Sequence, residues 1–171
     1  MLYIYIDGSC RGNGKNNSKG GYGIVIFDEN RNLIDAYSEQ FDNVTNNQME
    51  LKAFLKTFEL LNSKYKNKQA TIYSDSAYCI NILTSWIYSW SQNDWKNSKN
   101  KTVKNLDIIL SLYEYYNIKF FINQIYIVKV EGHKGIIGNE LADALAAADK
   151  QKFSNLILKN HIQIKLSQKI C

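Results

Sequence analysis

Residues 1–8 read Met1-Leu2-Tyr3-Ile4-Tyr5-Ile6-Asp7-Gly8, with Leu2, Ile4 and Ile6 on one face and Tyr3, Tyr5 and Asp7 on the other. A period of two is that of a half-buried strand, and the Asp-Gly pair predicts that this strand ends at Asp7-Gly8. A Gly, Asn and Lys-rich turn over Gly8–Gly21 leads to two further β-rich runs, Tyr22-Gly23-Ile24-Val25-Ile26-Phe27 and Leu33-Ile34-Asp35-Ala36-Tyr37, parted by Asp28-Glu29-Asn30-Arg31-Asn32. These turn signals predict a three-stranded antiparallel meander. Thr45-Asn46-Asn47 then caps a helix whose Leu51, Phe54, Leu55, Phe58 and Leu61 make one apolar stripe. A fourth run, Ala70-Thr71-Ile72-Tyr73, stops at Ser74-Asp75-Ser76, where another helix begins. Strand–helix–strand connections are right-handed crossovers, so the fourth strand is expected parallel to the first.

Further on, Trp86 to Asn105 is polar and lysine-bearing, and Leu106, Ile109, Leu110 and Tyr113 carry a helical period. A strand over Ile125–Val130 ends at Glu131-Gly132-His133, and a loop with Gly135 and Gly138 opens an alanine-rich helix from Asn139 to about Lys150. The order predicts an α/β fold, a five-stranded mixed sheet of three antiparallel and further parallel strands flanked by helices.

A chain of 171 residues, 45% hydrophobic and 22% charged, is expected to form one domain with a substantial core. No apolar stretch approaches the ~18–20 residues needed to span a bilayer, and the first residues carry no basic leader. Three cysteines, Cys10, Cys79 and Cys171, are odd in number and in no zinc spacing, which predicts reduced thiols and a cytoplasmic protein. The absence of proline, with 20 Asn and 19 Lys against two Arg, reads as genome composition more than function. Residues 1–149 are electrically balanced, and the net charge of +5 is carried by Lys150, Lys152, Lys159, Lys165 and Lys169.

Four acids sit where elements end or begin. Asp7 closes the first strand, Asp75 closes the fourth, Glu50 lies early in the first helix and Asp143 early in the last predicted helix. With strands one and four as parallel neighbours, Asp7 and Asp75 converge at their carboxyl ends, ~5 Å apart. Any one of these acids alone is most often a cap or a dipole partner. Four together would repel one another unless a cation sat between them, and Mg²⁺ is the hard, oxygen-seeking ion that carboxylates and a substrate phosphate hold jointly. Two such ions support in-line phosphodiester displacement.

Tyr5-Ile6-Asp7-Gly8-Ser9-Cys10, Gly20-Gly21-Tyr22-Gly23, Thr45-Asn46-Asn47-Gln48-Met49-Glu50-Leu51, Tyr73-Ser74-Asp75-Ser76 and Gly132-His133-Lys134-Gly135-Ile136-Ile137-Gly138-Asn139-Glu140-Leu141-Ala142-Asp143 occur in that order. Together they resemble type 1 ribonuclease H over about residues 1–150, a ribonuclease H-like fold with a basic protrusion, or handle. The resemblance implies an endoribonuclease that cleaves the RNA strand of RNA–DNA hybrids with Mg²⁺ or Mn²⁺, leaving 5′-phosphate and 3′-hydroxyl ends. It makes Asp7, Glu50, Asp75 and Asp143 the metal-binding carboxylates. His133 would be a mobile histidine that assists proton transfer or product release, and Glu140 either modulates metal binding or is a solvated first-turn acid.

By the same resemblance Cys10, Asn13, Asn46 and Asn47 reach 2′-hydroxyls in the minor groove, the groups that distinguish RNA from DNA. For Asn46 and Asn47 helix capping is the structural alternative. The handle, residues 86–105, carries Lys96, Lys99, Lys101 and Lys104 against Asp94, and its lysines would grip phosphates of the DNA strand. Tyr78 and Trp86 are candidates for stacking on deoxyribose, whereas Trp90 reads as helix packing. Thr45 and Asn105 match a pocket for one DNA phosphate whose usual arginine falls at Asn43, which weakens it.

The stretch Gln151–Cys171 extends past the resemblance, and His161-Ile162-Gln163-Ile164-Lys165-Leu166 alternates like an edge strand that could extend the sheet, mediate self-association or stay loose. A standalone or excised nuclease is expected, monomeric and without a preceding hybrid-binding domain. The rivals are another nuclease of the same fold, a hybrid-binding module without catalysis, which would need a missing carboxylate, and a generic α/β domain with scattered surface acids.

Overall fold

The computed structural model describes residues 1–116 and 124–165. Five strands form one sheet in the order β3-β2-β1-β4-β5. They are β1 (Leu2–Arg11), β2 (Lys19–Phe27), β3 (Leu33–Asp42), β4 (Ala70–Ser74) and β5 (Ile125–Lys129). β1–β2 and β2–β3 are antiparallel, whereas β1–β4 and β4–β5 are parallel, as the meander and the crossover require. The helices are α1 (Asn46–Asn62), α2 (Ala77–Asn81), α3 (Ile87–Ser91), α4 (Leu106–Tyr116), α5 (Ile137–Ala146) and α6 (Lys150–Lys159).

The sheet separates two cores. On one face Ile4, Ile6, Ile24, Ile26 and Ile72 pack against Leu51, Phe54, Phe58 and Leu61 of α1 and against Ile109 and Leu112 of α4. On the other, Val25, Phe27 and Leu33 meet Leu141 and Ala142 of α5 and Ile157 of α6. β2 is buried on both faces because α1 and α5 cover it from opposite sides. α1 begins with a full capping box. Gln48 N donates to Thr45 Oγ1 at 3.3 Å and Thr45 N donates to Gln48 Oε1 at 2.8 Å, which satisfies two otherwise orphaned amides.

Three local expectations are corrected. β1 runs on to Arg11 instead of ending at Asp7-Gly8, because Gly8 to Arg11 continue the ladder with Tyr22 to Lys19. The glycine of the Asp-Gly pair serves proximity rather than a turn, since a Cβ at Gly8 would stand 2.3 Å from the Glu50 amide nitrogen. The alanine-rich helix starts at Ile137, two residues before Asn139, and stops at Ala146. Ala148 is left-handed at φ 56°, and Asp149 caps a separate helix, α6, so the helix bearing Asp143 is not the last. The alternation at His161–Leu166 yields a single parallel bridge, Ile164 to Leu33 on the outer edge of β3, within the described residues, and Leu166 lies outside them.

Candidate active site

Two packing constraints and one strand pairing gather the acids. The β1–β4 register pairs Tyr5 with Tyr73, and two residues further along each chain segment stand Asp7, within β1, and Asp75, one residue past the end of β4. The bare Cα of Gly8 lets α1 pass over β1 at Met49-Glu50, which sets Glu50 beside Asp7. Gly23 faces Asp7 across the β1–β2 ladder, and a Cβ there would meet the Ala142 carbonyl oxygen at 2.1 Å. That close approach seats α5 on the sheet with Asp143 toward the same point.

The electrostatics register the convergence. Burial, followed by the charges of Asp75, Asp143 and Glu50, pushes the Asp7 carboxyl up to about 8, although the Gly8 amide donates to its Oδ1 at 2.8 Å. Burial and Asp75 also raise Glu50, against hydrogen bonds that hold it in place. Asn46 Nδ2 donates to Glu50 Oε1 at 2.7 Å, Ser76 Oγ donates to Oε2, and the Cys79 thiol approaches Oε2 at 3.8 Å. Asn139, buried, stands 3.5 Å from Asp75 Oδ2 through its Nδ2. All four acids offer carboxylate oxygens, and the repulsion that adds to burial in raising Asp7 is the repulsion a hard divalent cation relieves, so the residues fit the ion.

His133 sits exposed in the loop between β5 and α5, left-handed at φ 55°. One ligand atom each from His133, Glu140 and Asp143 lies within 4.8 Å of the others. Lys152 from α6 reaches into this group, its Nζ 2.6 Å from Asp143 Oδ2 and 3.6 Å from Glu140 Oε2.

The candidate substrate residues fall into two groups. The first surrounds the start of α1. Cys10 lies within β1 rather than in a turn, and its thiol donates to the Val44 carbonyl at 3.1 Å. Asn13 Oδ1 accepts from Asn46 N at 3.1 Å, and Asn43 Oδ1 accepts from Asn17 N at 3.1 Å. Thr45 is the cap of α1, and Asn47 is exposed. Asn46 is therefore tied both to Glu50 and to Asn13, and its capping role belongs to Thr45 instead.

The second group is the handle. α2 runs through a π-turn, Ile82–Trp86, into α3, a local irregularity often found at functional surfaces. Trp86 is 37% exposed, with Tyr78 edge-on at 6.3 Å and Trp90 tilted at 5.6 Å. The loop beyond is ordered. Lys96 bridges Thr102, Asn97 Oδ1 accepts from Lys99 N and Lys101 N, and Trp95 packs edge-on to Tyr113 at 5.1 Å. Lys99, Lys101 and Lys104 are exposed and Lys96 is half-buried. Asn105 is left-handed at φ 58°.

A family model described as RNase H matches residues 1–151. The chain belongs to the ribonuclease H family. It is 38% identical over 164 residues to the ribonuclease H of Wigglesworthia glossinidia brevipalpis, covering 96% of each chain. It is 35% identical over 158 residues to a ribonuclease H of Clostridium botulinum, covering 90% of this chain and 97% of that one. The solved structure of LC11-RNase H1 in complex with an RNA/DNA hybrid superposes with a TM-score of 0.60 at 21% identity, over 89% of this chain and 98% of that one. As a ribonuclease H the chain is a hydrolase, an endoribonuclease of RNA–DNA hybrids that works with divalent metal ions.

Two parts of this ribonuclease H site escape a reading of the residues alone. Ser76, read as the start of a helix, is also the hydroxyl that holds Glu50. Lys152 is nine residues and one helix away from Asp143, and no periodicity or motif links them. A basic residue within the first turn of a helix, against the preference of the dipole, is the one local sign that it is held by something else.

Proposed function

We propose that Asp7, Glu50, Asp75 and Asp143 hold two Mg²⁺ ions, with Mn²⁺ able to replace them, against the scissile phosphate of an RNA strand paired with DNA. The observation that carries this reading is the convergence of acids at the carboxyl ends of β1 and β4, where the parallel register brings Asp75 beside Asp7 and the close approach at Gly8 adds Glu50. When bound, the cations supply an activated water and stabilisation of the leaving oxygen. Asn46 and Ser76 hold the Glu50 carboxylate from both sides, which fixes its oxygens before substrate arrives. His133 stands beside Glu140 and Asp143 on an exposed loop, a position from which an imidazole takes up or delivers a proton at the departing strand. Cys10, Asn13, Asn46 and Asn47 cluster where β1 and the start of α1 meet, next to Glu50, and are read as the groups that meet 2′-hydroxyls.

Tyr78 and Trp86 offer ring faces and edges for deoxyribose, and Lys96, Lys99, Lys101 and Lys104 hold the DNA-strand phosphates. Asn43, Thr45 and Asn105 are read as a weak phosphate pocket, since the Asn43 and Thr45 side chains already bond within the protein. The protein is read as a cytoplasmic monomer with a catalytic unit over residues 1–150, and the free thiols of Cys10 and Cys79 support a reducing compartment.

One labelled sequence, presented as hybrid, double-stranded RNA, single-stranded RNA and duplex DNA, tests the reading. Cleavage of the hybrid alone, with Mg²⁺ and not with EDTA, is expected, and Asp75→Asn should abolish it while hybrid binding persists. Turnover in EDTA, or undiminished turnover by Asp75→Asn, would overturn it.

A further inference from the structure

Glu140 and Asp143 are three residues apart on α5 and share one face of it. The cation that meets them comes from a different helix. Lys152 Nζ lies 2.6 Å from Asp143 Oδ2 and 3.6 Å from Glu140 Oε2. Its backbone is fixed independently of that ion pair. Lys152 N donates to Asp149 Oδ1 at 2.8 Å, Asp149 N donates to Ala144 O at 2.8 Å, and Phe153, Leu156 and Ile157 anchor α6 in the second core. The ammonium is thus delivered to the two carboxylates by a braced helix rather than by a free surface side chain. Asp143 keeps only 21% of its side-chain accessibility beside it.

We propose that Lys152 is a built-in counterion of Asp143 and Glu140 that competes with divalent cation for Asp143, so that α6 sets the metal concentration at which the site fills. The proposal rests on the reading of Asp143 as a metal ligand. An ammonium bonded to Asp143 Oδ2 and a divalent cation on the same carboxylate repel each other, and the coupling is reciprocal, so metal binding loosens Lys152 as much as Lys152 weakens metal binding.

Mn²⁺ alone, titrated into the full chain with free Mn²⁺ followed by electron paramagnetic resonance, tests this without nucleic acid. Lys152→Met is expected to lower the Mn²⁺ Kd by about three- to fivefold, the range of a partly exposed ion pair. Lys152→Arg, which keeps the charge, is expected to stay near the parent value, and Lys152→Gln stands in should the Met variant fail to fold. The Mn²⁺ concentration for half-maximal hybrid cleavage should fall in step. An unchanged Kd in Lys152→Met, or equal tightening in the Met and Arg variants, would overturn the proposal. Asp143→Asn separates the two readings. If it binds Mn²⁺ like the parent, the ligand reading fails as well; if it binds weakly while Lys152→Met is unchanged, only the competition fails.

Discussion

Gly23 pairs with Asp7 across the β1–β2 ladder, and a methyl on Gly23 would stand 2.1 Å from the Ala142 carbonyl oxygen and 2.7 Å from the Ala146 nitrogen. The obstacles are helix backbone, which cannot swing aside as a side-chain tip would. Gly23→Ala must therefore lift α5 from the sheet, and with it Asp143. The expected cost is ~1–3 kcal/mol of stability from overpacking, read from the urea midpoint, together with a loss of hybrid cleavage larger than the loss of folded protein explains. A variant with parent stability and parent turnover would show that α5 does not need this close approach.

Asp7 gives the metal-free protein a distinctive pH dependence. Its folded carboxyl is raised to about 8, against an unfolded value of ~3.9, so the folded state favours the protonated form. The corresponding stability is present below ~4 and is lost as the pH rises through about 8. Asp7→Asn cannot ionise and escapes the loss. In EDTA the variant should be as stable as the parent at pH 4 and more stable at pH 9, by ~1–3 kcal/mol once partial solvent access is allowed for. Urea denaturation at the two pH values reads the difference. Saturating Mg²⁺ should close the gap by stabilising the parent alone, and a gap independent of pH would contradict the electrostatic origin.

The legibility of the site follows from which interactions are local. The period of two in Leu2–Asp7 and the stripe Leu51–Leu61 are burial patterns, and burial against one face is what decides strand and helix here, so sheet order and crossover are readable from them. The convergence of Asp7 and Asp75 follows from that parallel pairing. The end of β1 is not readable in the same way, because Asp-Gly has two uses, a turn and a close approach, and only the position of α1 over Gly8 tells them apart. Likewise Ala146 to Ala148 have high helix propensity, yet the left-handed Ala148 breaks the run so that Phe153 and Ile157 can reach the second core. Lys152 on Asp143 is a product of that break. The sharp inter-helix turn is a tertiary outcome, and the one local sign of it is Asp149, an N-cap residue in an otherwise helix-favouring run.

The handle lysines should act through charge and not through shape. Lys99, Lys101 and Lys104 are exposed on a loop held by Asn97 and by Trp95 against Tyr113, so alanine at these positions removes charge without disturbing the loop. Lys96 is half-buried and its backbone bridges Thr102, which leaves its ammonium available as a fourth charge. Each phosphate left without its lysine makes the slope of log K against log salt shallower by about 0.9. Replacing Lys99, Lys101 and Lys104 together should weaken hybrid binding and flatten its salt dependence, and adding Lys96→Ala should flatten it further. Filter binding across a salt series gives the slope, and an unchanged slope would remove the handle from the interface.

His133 combines an exposed imidazole with a backbone that few residues adopt, φ 55° between Gly132 and Lys134. Its function and its conformation must be separated by the choice of substitution. Alanine removes the ring but resists the left-handed region, whereas asparagine removes the ring and tolerates it. If His133 acts by moving a proton beside Asp143 and Glu140, both variants should slow turnover by at least ~10-fold, within or below the usual range for loss of an acid–base group, with hybrid affinity unchanged. If the loop conformation is what matters, His133→Asn should keep parent turnover while His133→Ala alone is slow. Single-turnover cleavage and hybrid affinity measured side by side on the two variants distinguish these outcomes, and parent rates in His133→Asn would show that the imidazole has no part in the chemistry.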